Sequence, residues 1–157
     1  MSIGKPGNIY NSYFHLVILC NRSLGPLFDT VDDKITYVRQ QGFKAQLRDI
    51  LEQHQRFDEL AEEYLHEDDL DRGVRYYVEG YQCHHTTSSI VHAVELALGY
   101  VESVLLIEGV YRKSSYDLAR SLITRVQPFA GQADSESCRA VSLTSTKLRT
   151  VVLITLT

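Results

Sequence analysis

Between residues 29 and 127 apolar side chains return at intervals of three and four, the spacing that gathers them on one face of an α-helix. Val31, Ile35 and Val38 form the first such stripe. Asp29 or Thr30 can cap its start by accepting from a free backbone N–H, and Asp32 and Asp33 sit in the first turn, where the helix dipole favours negative charge. Gly42 is placed to end the helix in a left-handed conformation. Three shorter stripes follow, with Phe43, Phe57 and Leu70 in equivalent positions. The first continues through Leu47, Ile50 and Leu51, the second through Leu60, Ala61, Tyr64 and Leu65, the third through Val74, Tyr77 and Val78. Helices this brief are marginal in water because nucleation is costly, so they are expected to persist only by packing on one another. Gln55 and Arg56, and then Glu67, Asp68 and Asp69, are connectors so short that neighbouring helices must run antiparallel. Ala61 and Gly73 fall near the stripes, and Gly73 is read as a point of close approach between helices.

A longer pattern starts at Ser88 or Ser89, either of which can cap it, and runs through Ile90, Val91, Val94, Leu98, Val101, Val104 and Leu105. Gly99 is expected to kink or split this helix and Gly109 to end it. Another helix is predicted from Ser115 as cap through Leu118, Ala119, Leu122, Ile123 and Val126, stopping before Pro128. Residues 129–138 are small and polar and read as a loop. The tail is ambiguous: Thr144 can cap a helix through Leu148 and Val152, while the β-branched run from Val151 equally suits a strand, and helix is preferred. The division expected from the sequence is thus an irregular N-terminal arm over residues 1–28, a helical-repeat domain over 29–127, and a loop with a C-terminal helix or strand over 128–157. The fold class is all-α, with short antiparallel helices stacked as a solenoid.

The arm is punctuated by Gly4, Pro6, Gly7, Gly25 and Pro26, which break any long helix. Its apolar run from Tyr13 to Cys20 is interrupted by His15 and followed by Asn21 and Arg22, not by the small residues of a signal-peptide cleavage site. It is also well short of the ~20 apolar residues that span a bilayer. A cytoplasmic or nuclear address is expected by default, and the glycosylation triplet at Asn21 then carries no meaning.

Composition adds limits on function. The chain's 44% hydrophobic and 23% charged residues are ordinary for a globular protein, and a net charge of −4 argues against nucleic acid as the main partner. Three scattered cysteines, Cys20, Cys83 and Cys138, do not make a disulfide framework. The acidity is concentrated in residues 48–79, with eleven acidic and four basic side chains. The ordinary reading is a solvated helix face, and the alternative is a strip that steers a basic partner. Cys83, His84, His85 and His92 are the cluster closest to a metal site, but adjacent histidines diverge and the spacing is not that of zinc pairs, so no metal is expected. No nucleophile elbow or phosphate-binding loop occurs, and no catalytic residue or cofactor is assigned. Tyr64, Tyr77 and Tyr81, at stripe positions with no interleaved basic residues, read as core or groove lining.

Residues 45–65, reading Ala-Gln-Leu-Arg-Asp-Ile-Leu-Glu-Gln-His-Gln-Arg-Phe-Asp-Glu-Leu-Ala-Glu-Glu-Tyr-Leu, and residues 68–77 after them, resemble a tetratricopeptide-type or clathrin-like α-solenoid. More narrowly, Leu47, Ile50, Leu51, Glu52, Arg56 and Phe57 stand in a phrase similar to the helical region of large fungal proteins that combine tetratricopeptide and ankyrin repeats with a UvrD-like helicase domain. The likeness covers residues 29–82 best and fades through 88–127. The chain departs from the tetratricopeptide pattern in having no tryptophan and in spacing its copies by about 13 residues, where that family pairs helices at about 34. The resemblance implies a non-catalytic scaffold that binds a protein or peptide, with no direct nucleic acid and no membrane, and with self-association possible through exposed apolar ends. The rival implication is an accessory segment that positions a nucleic-acid-processing ATPase, and a third is a subunit of a vesicle coat.

Overall fold

The short connectors set the architecture, because each turns the chain through a single left-handed residue. In the computed structural model, which describes residues 28–106 and 112–156, Gly42, Gln55, Asp68 and His85 have φ between 53° and 74°. The first three are evenly spaced and precede Phe43, Phe57 and Leu70 by one or two residues. Only Gly42 adopts this conformation without the steric cost that a side chain brings. The N-terminal arm expected over 1–28, with its apolar run at 13–20, and Gly109 lie outside the described residues, except for Phe28.

The chain divides into two compact units, Met1–His54 and Gln55–Thr157, so the boundary falls inside the region read as one repeat domain. In the first unit α1 (Val31–Gln41) packs on α2 (Lys44–Gln53). Of the two cap candidates Thr30 is used: its side chain accepts from the Asp33 N–H at 3.1 Å. Gly42 closes α1, its N–H donating to Arg39 and Val38 carbonyls. The buried positions are Ile35, Val38, Leu47, Ile50 and Leu51, which are the two stripes expected from the sequence with Val31 half-exposed.

The second unit holds α3 (Phe57–Leu65), α4 (Leu70–His84), α5 (Thr87–Leu106), α6 (Lys113–Val126), a 3₁₀ turn (Gln127–Phe129), α7 (Ala130–Ala133) and α8 (Ser135–Leu156). Every described element is helical, which fits the all-α class. The main contacts join α3 to α4, α4 to α5 and α6, α5 to α6, α7 and α8, and α6 to α8. If the four-residue α7 is set aside, α4, α5, α6 and α8 pack on neighbour and next neighbour along the chain, while α3 packs chiefly on α4.

Gly73 shows how closely α3 and α4 approach. A β-carbon there would lie 2.5 Å from Leu65 Cδ2 and 2.7 Å from its Cγ. The two readings of this glycine differ in the sign of a simple result. As a mere weak spot in a helix, Gly73→Ala would stabilise by about 1 kcal/mol. With Leu65 in the way, overpacking of about 1–3 kcal/mol offsets that gain, and a net loss is expected in chemical denaturation.

Three expectations are corrected. Ser88 and Ser89 do not cap α5, which starts at Thr87; Ser89 is buried inside its first turn and donates to both Asp58 carboxylate oxygens at 2.7 and 2.8 Å. Its hydroxyl is needed as a tie to α3, with Gly80 leaving the room: a β-carbon there would meet Asp58 Oδ1 at 2.7 Å. Gly99 does not split α5, because a glycine in a helix with well-packed flanks costs too little to break it. Ser115 is not a cap either, since α6 begins two residues earlier at Lys113.

The largest difference is at residues 129–138. Far from being a loop, this stretch passes through the 3₁₀ turn, with Pro128 at its start, then α7 and the first turn of α8. Proline is tolerated at a helix start because its missing N–H would have no partner there. The tail is helical from Ser135 to Leu156, so Thr144 lies mid-helix and the strand alternative falls.

Candidate functional site

The histidines and cysteine that came nearest to a metal site are kept apart by their own packing. His84 Nε2 lies 2.8 Å from the Gln55 carbonyl oxygen, and its ring centroid is 6.3 Å from Phe57. His85 meets Tyr81 edge-on at 6.1 Å, and His92 stacks on Tyr77 at 5.3 Å. Cys83 is exposed. Among the described residues no three His, Cys, Asp or Glu side chains gather as a metal would require.

The tyrosines differ from expectation in one respect, because basic residues do interleave them. Phe57, Tyr76 and Tyr64 form a stack, with centroids 6.2 Å apart for the first pair and 5.4 Å for the second. The Arg72 guanidinium lies 5.3 Å from the Tyr64 ring centre and Arg75 lies 5.8 Å from that of Tyr76, both within cation–π range. Tyr76, which the stripe omitted, is buried together with Tyr77. Burial first, and then the nearby Glu62 and Asp58 carboxylates, raise the Tyr77 hydroxyl above the usual tyrosine pKa, so it stays protonated. These contacts join α3 to α4 and have the character of a core edge.

Much of the acidic segment is likewise engaged within the fold. Arg56 pairs with Glu59 at 2.7 Å, Arg72 with Asp69 at 3.6 Å and Arg75 with Glu79 at 3.8 Å. Arg125 reaches from α6 to both the carboxylate and the backbone carbonyl of Asp71, at 2.9 and 2.8 Å. With Asp58 held by Ser89, these contacts engage five of the segment's eleven acidic side chains, and its net charge remains strongly negative.

The opposite balance appears further along the chain. Residues 112–157 carry seven basic and three acidic side chains. Arg120 on α6 and Lys147 and Arg149 on α8 are exposed, and none has an acid partner among the described residues. Arg120 and Arg149 line one groove of about 470 Å³ between α6 and α8. Its walls include Thr124, Ser145 and Leu153, and its base is formed by Ile123 and Leu148, both buried. The Tyr116 hydroxyl donates to the Leu148 carbonyl at 3.0 Å and fixes α6 against α8 at this level. On α8 Leu143, Leu153 and Ile154 are exposed at 57%, 67% and 69%; Leu153 belongs to this groove, whereas Leu143 lines a separate hollow with Gly131, Ser135 and Cys138.

The α8 helix is positioned at its start by Asp134, whose carboxylate accepts from both the backbone N–H and the hydroxyl of Ser137. The Ser137 backbone bond first, then its hydroxyl, holds the Asp134 pKa below the usual carboxylate range. Sequence reasoning missed this helix start and hence the groove. The available signal was Asp134 three residues before Ser137, followed by Val141 and Leu148 one heptad apart.

One helix bears on the expectation of no membrane. Residues 87–105 of α5 are long and apolar enough to cross a bilayer by length and composition. Yet Ile90, Ala93, Val94, Ala97 and Val101 of this helix are fully buried, and it packs on α4, α6, α7 and α8. Only 33% of the span is buried, however, and Ser88, His92, Glu95, Gly99 and Glu102 lie on an exposed side.

No protein-family model, curated protein or solved structure matches the chain.

Proposed function

We propose that this chain is a non-catalytic helical-repeat scaffold, tetratricopeptide-like in the stacking of its second unit, that binds another protein or a peptide. The observation that carries the reading is the contact order of the second unit, in which each long helix packs on its neighbour and next neighbour. Such stacking buries a continuous seam and leaves the flanks of successive helices open for a partner. The exposed Leu153 on the wall of the groove between α6 and α8, and the exposed Leu143 in a second hollow beside α7, supply apolar area on such flanks. The resemblance of residues 45–77 to solenoid helices, and more narrowly to the repeat region of fungal proteins with a UvrD-like helicase domain, supports the same role.

Selection of random peptides displayed on phage against the folded chain tests it. Enrichment of a peptide family is expected, and it should be lost when Leu143→Asp and Leu153→Asp are introduced together. Both positions are exposed, so the variant should keep its helical circular-dichroism spectrum. Failure of any sequence to enrich, or enrichment indifferent to the two substitutions, would remove this face as the docking surface.

A further inference from the structure

We propose that the groove between α6 and α8 takes an acidic amphipathic segment of a protein partner, with apolar side chains laid over the Leu153 flank and carboxylates on Arg120 and Arg149. The inference rests on the docking role just proposed and names the chemistry of what docks.

The contrast between the arginines of the second unit carries it. Arg56, Arg72, Arg75 and Arg125 each have a carboxylate within 4 Å, whereas Arg112, Arg120, Arg139 and Arg149 have none among the described residues, and of these Arg120 and Arg149 line the same groove. A guanidinium offers a planar fork of donors that matches a carboxylate in bidentate geometry, so two of them on a groove select for acidic groups. Between the charges, Leu153 on the wall, 67% exposed, offers apolar surface that a purely polar anion would leave unused.

That mixture also decides between partner classes. Single-stranded nucleic acid binds on exposed aromatic platforms set in a basic groove. The aromatic side chain of this groove is Tyr116, which is buried and has its hydroxyl committed to the Leu148 carbonyl. An amphipathic segment with leucines on one face and glutamates on its flanks meets both the apolar and the charged surface.

The test uses the full chain and a fluorescein-labelled amphipathic helix with leucines at every third and fourth position and glutamates on its flanks, followed by anisotropy. Versions with glutamine or lysine in place of glutamate are compared. The glutamate probe is expected to bind about tenfold or more tightly than the glutamine probe, and the advantage should shrink as salt screens the charges. Arg120→Glu with Arg149→Glu should weaken the glutamate probe by about tenfold or more and let the lysine probe bind, a gain that a misfolded protein could not show. The same two changes of sign at Arg72 and Arg75, on α4, should leave the glutamate probe's affinity unchanged.

Equal binding of the glutamate and glutamine probes would overturn the acid preference while leaving the docking role intact. Equal binding of a polyglutamate without leucines, or of a single-stranded oligonucleotide, would replace it with general polyanion affinity. A dimer in sedimentation that is lost on reversing Arg120 and Arg149 would make a second copy the occupant. If no probe binds although displayed peptides enrich, the docking surface lies elsewhere and the groove has no such role.

Discussion

Leu51→Ala is expected to destabilise the first unit by about 2–5 kcal/mol, the range for deleting a buried leucine side chain whose cavity cannot fully collapse. The motivation is direct. Leu51 is fully inaccessible to solvent, and Ile50 and Leu47 beside it on α2 are nearly so. A short helix has little intrinsic stability, so removing its best-buried anchor removes much of what holds it. Because the chain has two compact units, a single melting temperature is a poor measure, and amide exchange of α2 reports the unit concerned. A loss under about 1 kcal/mol would show that Leu51 is not the anchor its burial implies.

The second large effect separates a core helix from a membrane span. Ala97 and Gly99 are two residues apart on α5, yet Ala97 is fully buried while Gly99 is exposed, with open space around the position of a β-carbon. Ala97→Asp places a carboxylate in a packed seam, and the resulting penalty of several kcal/mol is expected to unfold the second unit. Gly99→Ala, by contrast, should stabilise it by about 1 kcal/mol, because alanine gains helix propensity and meets nothing. Gly99→Asp should be mild. In a bilayer an aspartate at either position would carry a similar cost of about 2.5–3.5 kcal/mol. Circular dichroism and denaturant titration of the three variants give the comparison, and indistinguishable behaviour of the two aspartates would contradict the packed-core assignment of α5.

The parts of this molecule that were legible in sequence are those set by neighbours along the chain. Thr30 and Gly42 mark the ends of α1 because capping needs only a few consecutive residues. Leu47, Ile50, Leu51, Val74, Tyr77 and Val78 announce their burial by period alone. On α5 the period misleads in part. Leu98, Val91, Val104 and Leu105 are only half-buried, while Ala93 and Ala97 fill the seam where a close neighbour leaves no room for larger side chains. Alanine's hydrophobicity is too slight to advertise such a position.

The candidate site was nearly illegible for a different reason. The α8 helix is rich in serine and threonine, which are weak helix formers because their hydroxyls compete for backbone partners. Here Thr146 and Thr150 bond back to the carbonyls of Ser142 and Thr146 one turn earlier, so the competition is resolved inside the helix. The pairing of Arg125 with Asp71, 54 positions apart in sequence, and the lack of such a partner for Arg120 and Arg149 could not be read from a linear charge pattern.

By itself, then, the order of residues determined the helical class, the existence and phase of the first four helices, and the turns between them, since those depend on interactions spanning three or four positions. Tertiary structure decided which glycine is crowded and which is open, which serine serves as a tie, and which arginines face a groove with no carboxylate at hand. Those are properties of distances between segments remote in sequence, and no local pattern encodes them.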